Sequence, residues 1–217
     1  MSDDLKKEAA IAALAEIRDG MVVGLGSGST ASIFIRELGK AHLKVLGIPT
    51  SDESGRIAQE VGIPLTTFSE HPEIDVTVDG ADEVSPELHL TKGLGGALVR
   101  EKIVAHASKR VVIIVDESKL VQKLGSKTVI PIEVIPLAVP RLLIQLKNAV
   151  VREKDGRPFI SDNGNNILDW KSGSIEDPTS MERQLKSMTG VVDSGIFANV
   201  ANIVIVAGAS GIQRKGK

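Results

Sequence analysis

Near its middle the chain reads Ile74-Asp-Val-Thr-Val-Asp79-Gly-Ala-Asp82, a short β-branched run that ends at an Asp-Gly pair. Such a run, closed by a tight turn, is typical of a β-strand. In open parallel α/β sheets, ligands bind beyond the carboxyl ends of the strands. Asp79 and Asp82 are therefore candidate site residues, although Asp-Gly turns that carry no function are also common.

A glycine-rich stretch and a helix follow this strand. Lys92 precedes Gly93-Leu-Gly-Gly96, and the apolar residues after it recur at helical spacing. Glu101 lies three residues after Leu98 and four before Ala105, so it falls on the apolar stripe of the helix. Burial should raise the pKa of Glu101 toward the range of a general base. The alternative is a surface glutamate that pairs with its neighbours.

The composition excludes several classes of protein. The 217 residues, 25% of them charged and 42% hydrophobic, suit one large globular domain or one large and one smaller domain. A net charge of −2 and few aromatic residues argue against nucleic-acid binding. The absence of cysteine excludes disulfides, thiolate nucleophiles and cysteine metal sites. The four histidines are dispersed without ligand spacing, and we predict no built-in metal site.

Nothing in the sequence indicates a membrane or an organelle. No apolar run approaches the ~20 residues of a membrane-spanning helix. The first residues, Met1-Ser-Asp-Asp-Leu-Lys-Lys7, resemble neither a signal peptide nor a transit peptide. We therefore expect a cytoplasmic protein with no membrane partner.

A second candidate site lies near the amino terminus, where a strand-like run is followed by Gly26-Ser-Gly-Ser-Thr30 and a helical pattern. Such a loop predicts a phosphate cradle, because small residues let backbone amides approach an anion at the helix amino terminus. Ser27, Ser29 and Thr30 add hydroxyl donors. The loop lacks the Gly-Lys-Ser/Thr of a P-loop and the third glycine of a dinucleotide fingerprint. It therefore suits a phosphate monoester better than ATP or NAD; a plain strand-to-helix turn is the alternative.

The periodicities up to residue 127 predict an α/β fold with a Rossmann-like parallel sheet, whose strand ends lie along one rim. Lys119 follows the fourth of these strands and is a candidate phosphate ligand, or else a solvated loop lysine. The predicted strands occupy 21–25, 43–48, 74–78 and 111–115, and the predicted helices 3–18, 31–38, 53–61 and 97–105.

After residue 127 the pattern changes to the order βαββαβ, which is the ferredoxin-like arrangement. We predict an inserted ferredoxin-like α+β domain over 128–199 and a Rossmann-like domain made of 1–127 plus 200–217. The apolar run 203–207 is predicted to rejoin the first sheet. In the inserted domain the predicted strands are 128–135, 158–161, 166–170 and 191–198, and the predicted helices 139–149 and 177–188.

Five motifs, in a fixed order, point to a family. They are Gly26-Ser-Gly-Ser-Thr30, Val78-Asp-Gly-Ala-Asp-Glu83, Lys92-Gly-Leu-Gly-Gly-Ala-Leu-Val-Arg-Glu-Lys102, Asp116-Glu-Ser-Lys119 and Asp162-Asn-Gly-Asn-Asn-Ile-Leu168. With them the chain resembles ribose-5-phosphate isomerase, type A, over nearly its whole length. The resemblance implies an aldose–ketose isomerisation between D-ribose 5-phosphate and D-ribulose 5-phosphate, in the non-oxidative pentose phosphate pathway. It also implies no cofactor, and a homodimer or homotetramer.

The resemblance further implies roles for individual residues. Glu101 would move a proton between C2 and C1 through an enediolate. Asp79 and Asp82 would handle hydroxyl protons and ring opening, and Lys92 would stabilise the oxyanion. The chemistry is coherent, because proton abstraction beside a carbonyl needs a positioned base and a cation or amide near the new oxyanion. The substrate or its phosphate would contact Ser27, Gly28, Ser29, Thr30, Asp79, Gly80, Ala81, Asp82, Lys92, Gly93, Leu94, Gly95 and Lys119, with Lys6 a weaker candidate.

One position departs from the family pattern. The family loop usually reads Lys-Gly-Gly-Gly, whereas this chain has Leu94 at the middle glycine. Leucine would be strained there if the position needed a positive φ, which makes the backbone contact assigned to Leu94 less secure.

Two other functions stay open. A sugar-phosphate sensor, similar to the effector domains of some bacterial repressors, would need a DNA-reading module, and no helix-turn-helix fits between the first helix and the first strand. A sensor would also have no need of Glu101 beside paired aspartates and a lysine. A different sugar-phosphate isomerase would share the phosphate cradle, and only substrate competition would distinguish it.

Overall fold

The computed structural model describes residues 3–216, which form six α-helices and fifteen β-strands. The helices are α1 (Asp3–Ala13), α2 (Ser29–Lys40), α3 (Asp52–Glu60), α4 (Leu98–His106), α5 (Val139–Gln145) and α6 (Pro178–Lys186). The strands are β1 (Val22–Leu25), β2 (Leu46–Pro49), β3 (Val76–Asp79), β4 (Glu83–Val84), β5 (Leu90–Thr91), β6 (Val111–Asp116), β7 (Ile130–Val134), β8 (Ala149–Val151), β9 (Glu153–Lys154), β10 (Arg157–Pro158), β11 (Asn166–Trp170), β12 (Val191–Ser194), β13 (Ile196–Phe197), β14 (Ile203–Gly208) and β15 (Gly211–Gly216). Short 3₁₀ turns occupy Leu14–Glu16, Glu117–Lys119 and Pro136–Ala138.

Contacts between residues divide the chain into two compact units. Unit 1 comprises Met1–Ala81, Arg100–Leu120 and Val200–Lys217, and unit 2 comprises Asp82–Val99 and Val121–Asn199. The predicted domains, 1–127 plus 200–217 and 128–199, assign 82–99 and 121–127 differently. The difference has a local cause in unit 2, where β4 and β5 pair with each other and β13 joins them as a third strand.

Unit 1 is built on a six-stranded sheet in the order β15-β14-β6-β3-β1-β2. All neighbouring strands are parallel except β15, which runs antiparallel to β14. The carboxyl ends of β1, β2, β3 and β6 therefore face one rim. This confirms the predicted Rossmann-like sheet and the return of the chain to it in β14. Edge strand β15 was not predicted, because its Gln-Arg-Lys centre is polar and exposed and shows no apolar alternation.

Unit 2 contains an antiparallel sheet in the order β12-β7-β11-β8, with α5 and α6 as its helices. Leu142 of α5 and Leu185 of α6 are buried in one apolar core with Ile130, Ile132 and Leu168 of the sheet. The chain order βαββαβ is that of a ferredoxin-like fold, as predicted. None of the helices in residues 3–216 is long and apolar enough to cross a lipid bilayer.

Three predicted elements of unit 2 are wrong in their bounds. The helix predicted over 139–149 ends at Gln145, and strand β8 begins at Ala149, the last residue of the predicted helix; Asn148 between them has a φ of +65°. Of the strand predicted over 158–161, only Pro158 lies in a strand, at the end of β10, and Ile160 forms an isolated antiparallel bridge with Asn166. The strand predicted over 191–198 divides into β12 and β13 at Gly195, where a Cβ would lie 2.2 Å from the Lys92 carbonyl oxygen.

The Asp75 carboxylate, just before β3, links this part of the chain to the start of β1. Its Oδ2 accepts the Val22 N–H at 2.9 Å, and its Oδ1 accepts Lys109 Nζ at 3.0 Å. The Val22 N–H, followed by Lys109, lowers the pKa of Asp75. A carboxyl group with a lowered folded-state pKa stabilises the protein above its unfolded-state pKa, and the stabilisation is lost as the pH falls through the folded-state value.

We expect Asp75→Asn to lower Tm by about 2–4 °C near neutral pH, a modest effect because the side chain is a third exposed. The difference in Tm between wild type and variant should shrink as the pH falls below about 4, and it should vanish once the pH is below the lowered folded-state pKa of Asp75, where the wild-type carboxyl is protonated too. Thermal unfolding followed by circular dichroism across this range measures both. A Tm difference that stayed constant at every pH would contradict the assignment.

Candidate active site

The predicted site residues fall in both units. In unit 1, Asp79 ends β3 and is 2% exposed. Its Oδ1 accepts the N–H of Ser27 at 3.1 Å and of Gly80 at 2.7 Å. A Cβ on Gly26 would lie 2.3 Å from that same oxygen, so only glycine allows this approach. The glycine loop after β1 and the carboxylate after β3 are thus brought together.

The loop 27–30 leads directly into α2. Gly28 is the N-cap residue of the helix and has a φ of +91°, a conformation that glycine adopts without strain. Ser27 Oγ is 2.7 Å from both Thr50 Oγ1 and Ser51 Oγ, which follow β2. Ser29 is exposed at the helix start and Thr30 is half-buried. The arrangement of strand, glycine loop and helix amino terminus is the one that the sequence predicts, and phosphate binding there stays a prediction.

Glu101 lies in α4 and is 4% exposed, so it is buried more completely than the half-buried position that the apolar stripe predicts. The neighbouring Lys102 is 5% exposed, although its position beside the apolar stripe predicts a more accessible side chain. Arg100 is turned outward and pairs with Asp52 of α3 through Nη1 at 2.7 Å. A buried carboxylate on a helix can act as a base only if the substrate reaches it, so the role of Glu101 stays a prediction.

The remaining predicted site residue of unit 1 in the sheet rim, Lys119, follows β6. Lys119 is half-buried at the end of the 3₁₀ turn, while Lys6 is half-buried in α1 and pairs with Asp3. Asp116 caps the same turn, because its Oδ1 accepts the Ser118 N–H at 2.9 Å. Its Oδ2 is buried and meets no hydrogen-bond donor within residues 3–216. A buried oxygen of this kind is usually satisfied by water or a ligand, and Asp116 was not among the predicted site residues.

In unit 2, the structure brings Asp82 to the glycine stretch, since its Oδ2 accepts the Leu94 N–H at 3.1 Å. Lys92 is 3% exposed, and its Nζ lies 5.6 Å from the centroid of the Phe197 ring. The Lys92 backbone N–H donates to Gly195 O at 2.8 Å, which ties the stretch to β13. An ammonium group and a carboxylate therefore flank the same glycine stretch.

Leu94 fits its position without backbone strain. Positive φ angles occur in this stretch at Gly93 (+98°) and Gly96 (+92°), whereas Leu94 is not among the described non-glycine residues with positive φ. Its side chain is 41% exposed. The departure from the family pattern is thus tolerated, because the two positions that require glycine are still glycine.

The sequence missed residues that hold the unit 2 group in place. Glu83 is fully buried and accepts the N–H groups of Gly125 at 2.6 Å, Lys127 at 2.7 Å and Thr128 at 2.9 Å. Arg152 donates to two carbonyl oxygens of the glycine stretch from 58 or 59 residues further along the chain. Glu83 is the last residue of the motif Val78–Glu83, so its motif could have indicated it. The residues around Arg152 carry no pattern that indicates its contact with the glycine stretch.

Each group can perform part of an acid–base reaction. Unit 1 offers two buried carboxylates, Asp79 and Glu101, and a hydroxyl-rich helix start; unit 2 offers Asp82, Lys92 and backbone amides. Carboxylates can move protons, and an ammonium group with amide donors can stabilise an oxyanion. Within residues 3–216, no cluster of three or more His, Asp or Glu side chains is arranged to hold a metal ion.

Comparison with known proteins gives one consistent answer. Residues 46–211 match the family described as ribose 5-phosphate isomerase A (phosphoriboisomerase A). Ribose-5-phosphate isomerase A of Bradyrhizobium diazoefficiens is 46% identical over 97% of this chain and 95% of its own. The solved structure of ribose 5-phosphate isomerase A from Methanocaldococcus jannaschii has a TM-score of 0.95 and 42% identity, covering 100% of both chains. A D-ribose-5-phosphate isomerase in complex with phospho-erythronic acid has a TM-score of 0.96 and 40% identity over 99% of both chains. The chain therefore belongs to the ribose 5-phosphate isomerase A family.

Proposed function

We propose that this protein is a ribose-5-phosphate isomerase, which interconverts D-ribose 5-phosphate and D-ribulose 5-phosphate in the pentose phosphate pathway. The observation that carries the proposal is the burial of Glu101, a carboxylate at 4% exposure on the helix that follows the glycine stretch. Family membership over nearly the whole chain supports it. So does the phospho-erythronic acid bound to a relative, because its carboxylate resembles the charge of an enediolate.

In the proposed reaction Glu101 removes the proton from C2 of the open-chain aldose and returns it to C1. The electrons of the broken C–H bond form the enediolate, and the ketose carbonyl is made at C2. Lys92, beside the amides of the glycine stretch, stabilises the negative charge on oxygen. Asp79 and Asp82 transfer the hydroxyl protons and assist ring opening. The two aspartates are held by backbone N–H groups, which keep their carboxylates oriented.

We further propose that the phosphate group binds at the helix start, with Ser27, Gly28, Ser29, Thr30 and Lys119 as its ligands. The first turn of α2 presents N–H groups that favour an anion, and Gly28 leaves the approach open because no atom lies within 4 Å of where its Cβ would be. Further proposed substrate contacts are Gly80, Ala81, Gly93, Leu94 and Gly95, with Lys6 a weaker candidate.

The test is formation of ribulose 5-phosphate from ribose 5-phosphate by wild-type protein in buffer containing EDTA. We expect steady turnover that phospho-erythronic acid inhibits competitively. Competition between ribose 5-phosphate and other aldose phosphates then distinguishes this enzyme from a different sugar-phosphate isomerase. If the protein bound ribose 5-phosphate but never isomerised it, the enzyme assignment would fail, and the protein would be a sugar-phosphate sensor instead.

We also propose a homodimer or homotetramer, and an exposed apolar face of unit 2 supports self-association. Leu137 is 91% exposed, Ile144 74% and Ile135 50%. Burial of such side chains against a second copy is favourable, because it removes apolar surface from water. A cytoplasmic location stays a prediction.

Replacing Leu137 and Ile144 together by aspartate should convert the assembly to a smaller species. Two charges on this face oppose its burial, while both positions are solvent-exposed in a single copy and should not affect folding. Light scattering coupled to size-exclusion chromatography measures the mass, with Ile103→Asp on exposed Ile103 of α4 as the control. An unchanged mass would place the contact elsewhere.

A further inference from the structure

One arginine of unit 2 holds the backbone of the glycine stretch. Arg152 Nη1 donates to the carbonyl oxygens of Gly93 at 3.0 Å and Leu94 at 2.9 Å. Asp169 of β11 holds the guanidinium through two bonds, from Nε at 3.0 Å and from Nη2 at 2.5 Å. The Arg152 side chain is 11% exposed and that of Asp169 19%. A two-bond pair of this kind fixes the plane of the guanidinium, which a lysine could not reproduce.

Phe159 secures the other end of the stretch. The Arg152 guanidinium carbon lies 5.9 Å from the centroid of the Phe159 ring, a distance suited to a cation–π contact. The same ring lies against Gly96, where a Cβ would be 2.5 Å from Phe159 Cζ. Arg152 and Phe159 therefore hold the glycine stretch at three of its four residues.

The contacts of Arg152 with the carbonyl oxygens determine the direction of the N–H groups in the glycine stretch. In a trans peptide the N–H is directed opposite to the carbonyl, so the N–H groups of Leu94 and Gly95 point away from Arg152. The Leu94 N–H donates to Asp82, and that of Gly95 has no protein acceptor within residues 3–216. A cation on the carbonyl side also polarises the peptide and strengthens its N–H as a donor.

We propose that Arg152, held by Asp169, is a positioning residue that directs the Leu94 and Gly95 amides for catalysis. The proposal rests on the isomerase function proposed above. Arg152 does not touch the substrate in this account; it fixes the donors beside Lys92 and the orientation of Asp82. A glycine-rich stretch is otherwise flexible, so its geometry must be imposed from outside.

The first measurement compares kcat, KM and Tm of wild type, Arg152→Ala and Arg152→Lys. We expect Arg152→Ala to lower kcat at least about tenfold with a smaller change in KM, since small displacements of catalytic donors have large effects. Arg152→Lys should recover only part of the loss. Millimolar guanidinium should raise kcat of Arg152→Ala, because it can fill the vacated place beside Asp169, and should leave wild type unchanged.

The matched control is Lys186→Met, which removes another ion pair of unit 2, that of Lys186 with Asp193 at 2.8 Å, without touching the stretch. Hydrogen–deuterium exchange of the segment 93–96 gives a readout independent of turnover. It should be faster in Arg152→Ala, or in Arg152→Lys if the alanine variant does not fold, and unchanged in the control.

Two results would overturn the positioning role: unchanged exchange in 93–96, or a loss of kcat that guanidinium does not reverse and that the control shares. If wild type itself failed to isomerise ribose 5-phosphate, the proposed function would fall. The exchange comparison would still decide whether Arg152 orders the stretch, so the two failures are distinguishable.

Discussion

Glu101→Gln should leave the fold intact and lower kcat for ribose 5-phosphate isomerisation by at least about a hundredfold, with KM little changed. The substitution keeps the size and shape of a side chain that is 4% exposed, so packing around it is preserved. It removes the group that can accept the C2 proton. Initial rates of ribulose 5-phosphate formation measure the loss, and thermal unfolding shows that the variant is folded.

Exchange of the C2 hydrogen with solvent deuterium gives a direct readout of the base. We expect NMR to show this exchange for wild type and not for Glu101→Gln. Glu60→Gln is the matched control, since Glu60 is an exposed helix glutamate of the same unit and the charge change is identical. Exchange that persisted in Glu101→Gln would show that another group is the base.

The second large effect is expected for Lys92→Met, which removes the ammonium group and keeps most of the side-chain length. We expect kcat to fall about 10²–10³-fold, the usual cost of removing one oxyanion donor. Lys92 is 3% exposed beside Phe197, and methionine is an apolar side chain of similar volume that can occupy the same space. Loss of activity without loss of Tm separates the catalytic role from a structural one.

Lys123→Met is the control for this variant, because Lys123 is half-exposed and pairs with Glu176 on the surface. The enzyme kinetics should be accompanied by calorimetric titration with phospho-erythronic acid, whose carboxylate should also bind more weakly to Lys92→Met. A kcat within threefold of wild type would remove Lys92 from the mechanism, since an oxyanion donor cannot be lost at so small a cost.

The sequence allowed the sheet of unit 1 and the ferredoxin-like order of unit 2 to be predicted, because strands such as β3 and β6 are apolar runs bounded by turn residues. The two-residue strands β4 and β5 carry too few residues to show a period. Strand β8 was not predicted, and the helix predicted over 139–149 runs on to its first residue, Ala149, because the apolar residues there suit either structure until Asn148 adopts a positive φ.

The candidate site was predictable where its residues are close in sequence and not where they are far apart. Asp79, Asp82, Lys92 and Glu101 all lie within one stretch of the chain, and the burial of Glu101 follows from its place on the apolar stripe. Arg152 could not be found in this way, because its importance comes from a contact with residues 58 and 59 positions earlier. Side chains that support a site from a distance leave no local pattern.

The backbone conformation of Leu94 also makes this position suitable for attaching a spectroscopic probe. Its φ is ordinary and its side chain is 41% exposed, so a different residue can stand there without disturbing Gly93 or Gly96. The chain has no cysteine. A thiol introduced by Leu94→Cys would be unique, and a fluorophore attached to it would report on binding from within the glycine stretch itself.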